Sequence, residues 1–138
     1  MFDAVKSYLH RVHERYKSQR EGRKQTVYNL THDANTLTVS LLTIENETGQ
    51  DILQWRDVIR VEAFKRDLYV VDQICLLFIK TDGSELEINE EMSGFGEFVQ
   101  ALPTYLPGCQ TFGQWYLPVA IPAFELNLTV IYDRSQSS

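Results

Sequence analysis

The clearest structural signal in this chain is the sequence of residues 74–89, ICLLFIKTDGSELEIN. Its first half is a continuous apolar run, which is typical of a strand that is covered on both faces at the centre of a sheet. Asp82-Gly83 favours a tight turn, and Glu85 to Ile88 alternates between charged and apolar side chains. Residues 74–89 therefore predict a β-hairpin whose first strand is central.

The segments before this hairpin also have strand character. Residues 27–30 and 36–42 are rich in β-branched and apolar residues, and the turn-forming run at 31–35 separates them, which predicts a second hairpin. Trp55 and residues 58–64 resume an extended pattern. The first half of the chain is therefore expected to be mainly strand.

A helix is expected after residue 92. Ser93 is a favourable N-cap residue, and Pro103 limits the helix that follows it. Residues 109–114 are typical of a loop, and residues 115–132 predict extended structure that ends in a last strand at 124–132. The four apolar residues that recur at helical spacing on one face of the expected helix are Phe95, Phe98, Val99 and Leu102.

The N-terminal segment predicts an amphipathic helix over residues 1–22. Residues 1–24 hold seven Lys or Arg against three Asp or Glu, a net charge of +4, so the rest of the chain carries −10. Such a helix can pack on the chain's own sheet, enter a groove of a partner protein, or lie on an anionic membrane surface. Its apolar stripe consists of Phe2, Val5, Leu9, Val12 and Tyr16.

Length, net charge and cysteine content indicate which class of protein this chain belongs to. The chain has 138 residues, which is the size of a single domain, and we expect the domain to comprise the helix at 1–22, a sheet and helix over 26–134, and a frayed tail at 135–138. Its net charge of −6 argues against nucleic-acid binding, because phosphate contacts need a basic face. Two cysteines and no secretion signal over residues 1–24 favour a cytoplasmic protein with free thiols.

A family resemblance covers residues 26–106. The strand that begins at Trp55, the sequence FKRD at 64–67, the Asp82-Gly83 turn and the helix that follows resemble small uncharacterised bacterial proteins. This layout is also similar to the bacterial pleckstrin-homology-like group. The resemblance implies a strongly bent antiparallel sheet that is closed by a helix and binds lipids, peptides or proteins without catalytic residues. We therefore predict an α+β fold, with a bent antiparallel sheet of five to seven strands, the N-terminal amphipathic helix and the later helix packed on the sheet.

The first candidate binding site is the connection between two predicted strands. Lys65, Arg66, Asp67 and Asp72 cluster there, and a loop that presents both charge signs can recognise an anionic or dipolar group. Structural pairing of Arg66 with Asp67 or with Asp72 is the alternative explanation of the same cluster.

The second candidate is the aromatic segment around Trp115 and Tyr116, where large rings could line a contact surface or pack in the core. No catalytic motif, metal-ligand spacing or phosphate-binding loop occurs in the sequence, so we predict no enzyme activity, metal or cofactor.

The function predicted from these observations is non-catalytic binding of a protein partner. The small, acidic character of the chain fits an inhibitor or an immunity-like protein, because such a charge can steer association with a basic target. The alternatives are an adaptor on a membrane surface that uses residues 1–22, and an enzyme whose site is assembled from distant residues. A homo-oligomer is compatible with all three.

Overall fold

The computed structural model describes residues 27–42, 48–67, 72–122 and 126–136. In these ranges seven strands form two antiparallel sheets. The three-stranded sheet has the order β1-β2-β3 and consists of β1 (Val27–His32), β2 (Thr36–Leu42) and β3 (Thr48–Gln54). The four-stranded sheet has the order β6-β5-β4-β7 and consists of β4 (Val58–Asp67), β5 (Asp72–Lys80), β6 (Glu85–Asn89) and β7 (Thr129–Asp133).

Two helices lie between β6 and β7 in sequence. Helix α1 is Phe95–Tyr105 and helix α2 is Phe112–Ala120. Short 3₁₀ turns at Trp55–Asp57 and Arg134–Gln136 complete the described elements. No helix among them is long and apolar enough to cross a membrane.

The prediction of one bent sheet was wrong, because the chain changes sheets at Trp55. The backbone N–H of Trp55 donates to the carbonyl of Asn35 at 3.0 Å, and its indole N–H donates to the carbonyl of Asp33 at 2.9 Å. These bonds tie the end of β3 to the β1–β2 turn, and the 3₁₀ turn then starts β4 in the other sheet. The pleckstrin-homology-like arrangement is therefore not observed, and the expected helix over 1–22 lies outside the described residues.

The two predicted hairpins are confirmed. Strand β1 pairs with β2, and β5 pairs with β6 in a register that places Cys75 opposite Asn89 and Ile79 opposite Glu85. The turn of the second hairpin uses Gly83 at a φ of 85°, a conformation that glycine adopts without a steric penalty. Strand β5 is buried on both faces, as its continuous apolar sequence indicated.

Helix α1 begins one residue later than its predicted cap. Ser93 does not cap the helix, because its backbone N–H and carbonyl bond to Tyr28 and Leu30 of β1 at 3.0 and 2.8 Å. The N-cap is Gly94, at a φ of 93°, and a Cβ at that position would come within 2.9 Å of the carbonyl oxygen of Leu30. Only glycine therefore fits where the helix starts against β1.

The loop predicted at 109–114 is observed only as far as Thr111, and the extended structure predicted from Trp115 was wrong for residues 115–120, since residues 112–120 form α2. Thr111 and Gln114 form a capping box, in which the Gln114 side chain accepts from the Thr111 backbone N–H at 2.8 Å. Trp115 and Val119 are four residues apart and both are fully buried. Pro118 and the dense aromatic content masked this short helix in the sequence.

An aromatic cluster in the core joins α1 to the end of β1 and to the 3₁₀ turn. The ring of Trp55 stacks on those of Tyr105 and Phe98, with centroids 5.1 and 5.9 Å apart. Tyr105 also shares a 2.6 Å hydrogen bond with Nδ1 of His32 at the end of β1. The cluster holds the three-stranded sheet against α1, so that both sheets and both helices contribute to one main core.

Candidate functional site

Lys65 is a buried cation that donates hydrogen bonds at the C-terminal end of helix α2. Its side chain is 2% exposed, and its Nζ donates to Oδ2 of Asp72 at 3.1 Å and to the carbonyl of Ala120, the last residue of α2, at 2.8 Å. It also donates to the carbonyl of Pro122. A cation at this position satisfies carbonyls that the helix leaves without partners and interacts favourably with the helix dipole.

Arg66 lies on the opposite face of the four-stranded sheet. Adjacent residues of a strand point to opposite faces, so Lys65 faces α2 whereas Arg66 reaches across to Glu87 on β6, to which its Nη2 donates. The guanidinium lies 5.8 Å from the centroid of the Phe64 ring. Phe64 belongs to a second, smaller apolar cluster with Cys75 and Leu77.

The predicted charged loop site is thus divided between two faces. Lys65 and Arg66 are buried on opposite sides of β4, and only Asp67, at the end of that strand, is exposed. The sequence offered Asp67 or Asp72 as the partner of Arg66, and the structure adds an ion pair between Asp72 and Lys65 and another between Arg66 and Glu87. The four residues therefore do not converge on one accessible surface, and the two cations hold the fold together.

The Arg66–Glu87 contact provides a first prediction. We expect Glu87→Gln to lower the free energy of unfolding by about 1–2 kcal/mol, because the buried Arg66 guanidinium keeps a hydrogen-bond acceptor but loses the negative charge of its carboxylate partner. Urea denaturation measures the difference. The matched control is Glu85→Gln, an exposed position two residues earlier on the same strand, where we expect a change below about 0.5 kcal/mol. Equal effects at both positions would contradict the structural role of the pair.

Both thiols are held in the protonated form by burial. Burial, followed by the nearby Glu87 carboxylate, raises the pKa of Cys75 well above its ordinary value. Burial raises the pKa of Cys109 to about 12. A thiolate is the reactive form, so neither cysteine is an activated nucleophile at neutral pH. Within the described ranges, no group of three His, Cys, Asp or Glu side chains could hold a metal ion.

The aromatic segment around Trp115 and Tyr116 forms an accessible apolar surface. Trp115 is fully buried and anchors α2 to the core, whereas Tyr116 is 38% exposed and packs its ring 4.9 Å from that of Phe112. Leu117 and Ile121, one helical turn apart, are 60% and 63% exposed, and Leu126 is 37% exposed. We call these four exposed residues the α2 surface: Tyr116, Leu117, Ile121 and Leu126.

Hydrogen bonds from β4 and from the segment that precedes β7 fix the α2 surface in place. The backbone N–H of Lys65 donates to the carbonyl of Leu126 at 2.8 Å. The side chain of Asn127 donates to the carbonyls of Val119 and Pro122 at 3.1 and 3.0 Å. The segment that precedes β7 is therefore bonded both to β4 and to the end of α2, so the exposed apolar residues sit on a preorganised support.

Three of the four residues of the α2 surface, Tyr116, Leu117 and Ile121, lie in a part of the chain that has no charge. Residues 98–124 contain no Asp, Glu, Lys, Arg or His, although 23% of the chain is charged. Exposed segments of a protein usually carry charged side chains, and the centres of protein interfaces are depleted of them. This uncharged run, together with Leu117 and Ile121 at a spacing of four, is the sequence signal that could have located the surface.

Comparison with known protein families, with curated proteins and with solved structures finds no match to this chain.

Proposed function

We propose that this chain is a non-catalytic binding protein that recognises a protein partner through the α2 surface. The observation that carries the proposal is the exposure of Tyr116 and Leu117 on a helix without charge, together with that of Ile121 directly after the helix and of Leu126 before β7. The helix has a fully buried face, yet these apolar side chains remain in water. Covering them with a partner lowers the free energy, because apolar surface is removed from water.

The composition of the surface supports a protein as the partner. Tyrosine and large aliphatic side chains without charged neighbours resemble the buried centre of a protein interface. The side chains that hold α2, Lys65 and Asn127, point their polar groups at the helix end and leave the exposed side apolar. A binding role of this kind needs no catalytic group.

Other parts of the proposal come from composition. An inhibitor or immunity-like role is supported by the net charge of −6, which steers association with a basic target from outside the α2 surface. Both cysteines are free, which fits the proposed cytoplasmic location.

The test is capture of partners by the tagged full chain from a lysate of its source organism, compared with two variants. We expect Leu117→Asp to weaken the capture at least about tenfold, because it buries an unpaired carboxylate in the interface. Ile52→Asp is the matched control, since Ile52 is 58% exposed but lies on β3, away from α2.

The expected result is a protein that binds the wild type and Ile52→Asp but not Leu117→Asp. Circular dichroism establishes that both variants keep the fold, which is expected because both positions are exposed. Capture that is equal for all three proteins would mean that the α2 surface does not bind, and the proposal would fail.

A further inference from the structure

The smaller apolar cluster lies on the face of the four-stranded sheet that points away from Lys65 and α2. We call this face the second face. Its buried members are Phe64, Cys75 and Leu77, and its partly buried members are Ile79 and Leu128. Phe64 and Cys75 have no exposed surface. Side chains on the face of a sheet reach this degree of burial when another layer packs over them, so the second face has a cover.

The two helices and the three-stranded sheet pack on the other face of the four-stranded sheet. Their buried apolar side chains belong to the main core. Within residues 27–42, 48–67, 72–122 and 126–136, the smaller cluster contains only residues of the four-stranded sheet and of the segment before β7. The cover of the second face therefore belongs to another part of the chain.

We infer that residues 1–26, which we call the N-terminal segment, cover the second face. Each of the other segments outside the described ranges has five residues or fewer. Four strands that lie about 4.8 Å apart need a cover about 14 Å wide. The 26 residues of the N-terminal segment can span up to about 86 Å when extended, so they are long enough to cross all four strands.

The place where this segment joins the fold is the second argument. It leads into β1, whose residues Tyr28 and Leu30 form backbone hydrogen bonds of 3.0 and 2.8 Å with Ser93. Ser93 follows the end of β6 by four residues, and β6 is an edge strand of the four-stranded sheet. The N-terminal segment therefore meets the sheet beside its β6 edge, from which it can pass directly onto the second face.

Charge is the third argument. Residues 1–24 carry a net charge of +4, whereas residues 81–91, which contain β6, hold five Asp or Glu and no Lys, Arg or His. Glu85 and Glu87 alternate with the core residues Leu86 and Ile88, so their carboxylates lie on the side of the second face. A basic segment with apolar side chains can fill this face and meet these carboxylates. An anionic membrane would attract the same basic residues, but it would not explain the burial of Phe64 and Cys75.

The two natural cysteines provide the test, because they report on different faces of the sheet. Cys75 lies on the second face and Cys109 in the main core. The full chain is treated with N-ethylmaleimide, and mass spectrometry measures the labelling rate of each thiol. We expect Leu9→Asp to speed the labelling of Cys75 at least about tenfold, because a carboxylate in the covering segment opposes its burial and opens the face. Cys109 should keep its wild-type rate.

Ser7→Asp is the matched control, since it introduces the same charge at a polar position of the N-terminal segment. We expect this variant to label Cys75 as slowly as the wild type does. The slow labelling of Cys109 in both variants shows that the main core remains folded.

A carbodiimide, which joins lysine amines to carboxylates in contact, tests the geometry in the wild type without any substitution. We expect links from lysines of the N-terminal segment to Glu85 or Glu87 of β6, and none to Glu97, an exposed carboxylate of α1.

Two results would overturn the inference. One is a wild type whose Cys75 is labelled as fast as an exposed thiol; binding of that chain to vesicles of anionic phospholipid would then assign the N-terminal segment to a membrane surface. The other is a Cys75 rate that Leu9→Asp leaves unchanged, together with no link between the segment and β6. Neither result bears on the proposed function, because α2 lies on the other side of β4.

Discussion

Replacing Lys65 with alanine is expected to lower the free energy of unfolding by about 3–5 kcal/mol, because the change removes one partner of a buried ion pair. The side chain of Lys65 is almost fully buried, and its loss removes the cation that lies 3.1 Å from the Asp72 carboxylate. The carbonyl of Ala120 loses its donor at the same time, so the end of α2 is no longer held against β4. Urea denaturation measures the loss of stability, and amide hydrogen exchange shows whether it is concentrated in α2.

Two further lysine variants make this result interpretable. Lys80→Ala, at the half-buried end of β5, is the control and should change the stability by less than about 0.5 kcal/mol. Lys65→Met keeps most of the apolar stem but removes the charge, so it separates lost packing from the lost ion pair. If Lys65→Ala is no more harmful than Lys80→Ala, the contact with α2 does not stabilise the fold.

Trp55→Ala should destabilise the protein by a similar amount, about 3–5 kcal/mol, because it opens a cavity in the core. The Trp55 ring stacks on Tyr105 and Phe98 of α1. Its indole N–H also bonds to the carbonyl of Asp33, which joins the β1–β2 turn to the 3₁₀ turn between the sheets. The variant therefore removes one of the contacts that connect the three-stranded sheet to α1, besides the bond between His32 and Tyr105. Chemical denaturation followed by far-ultraviolet circular dichroism measures the effect.

A conservative substitution at Trp55 and a substitution at an exposed position test whether the aromatic stack causes the loss of stability. Trp55→Phe keeps an aromatic ring in the stack but loses the hydrogen bond to Asp33, so we expect an intermediate loss of about 1–2 kcal/mol. Tyr116→Ala removes a ring of comparable size from the exposed side of α2 and should change stability by less than about 1 kcal/mol. A small effect of Trp55→Ala, close to that of Tyr116→Ala, would show that the stack is not a main support of the core.

Local sequence patterns were sufficient for the hairpins and for α1. The continuous apolar run at 74–79 identified a strand buried on both faces. Successive side chains of a strand point to opposite faces of the sheet, so a run without polar residues places apolar side chains on both. Asp82-Gly83 identified the turn because it favours the backbone conformation that the turn needs. Strong patterns of this kind depend on residues that are close in sequence.

The sequence pattern was not sufficient for α2. Its nine residues are apolar on the buried side and also on the exposed side, so no periodic contrast between polar and apolar positions marked a helix. Pro118, which usually interrupts a helix, favoured extended structure instead. The helix forms because the capping box starts it and because Trp115 and Val119 find a place in the core.

By itself, the sequence determined the strand-rich composition, the hairpins and helix α1, because these follow from local spacing. Only the tertiary structure decided that the strands separate into two sheets at Trp55 and that Lys65 and Arg66 face opposite sides of β4. It also decided which aromatic residues of the 112–121 segment are buried and which are exposed. The physical reason is that burial and pairing depend on residues distant in the chain, such as Asp33 for Trp55, Glu87 for Arg66 and Ala120 for Lys65.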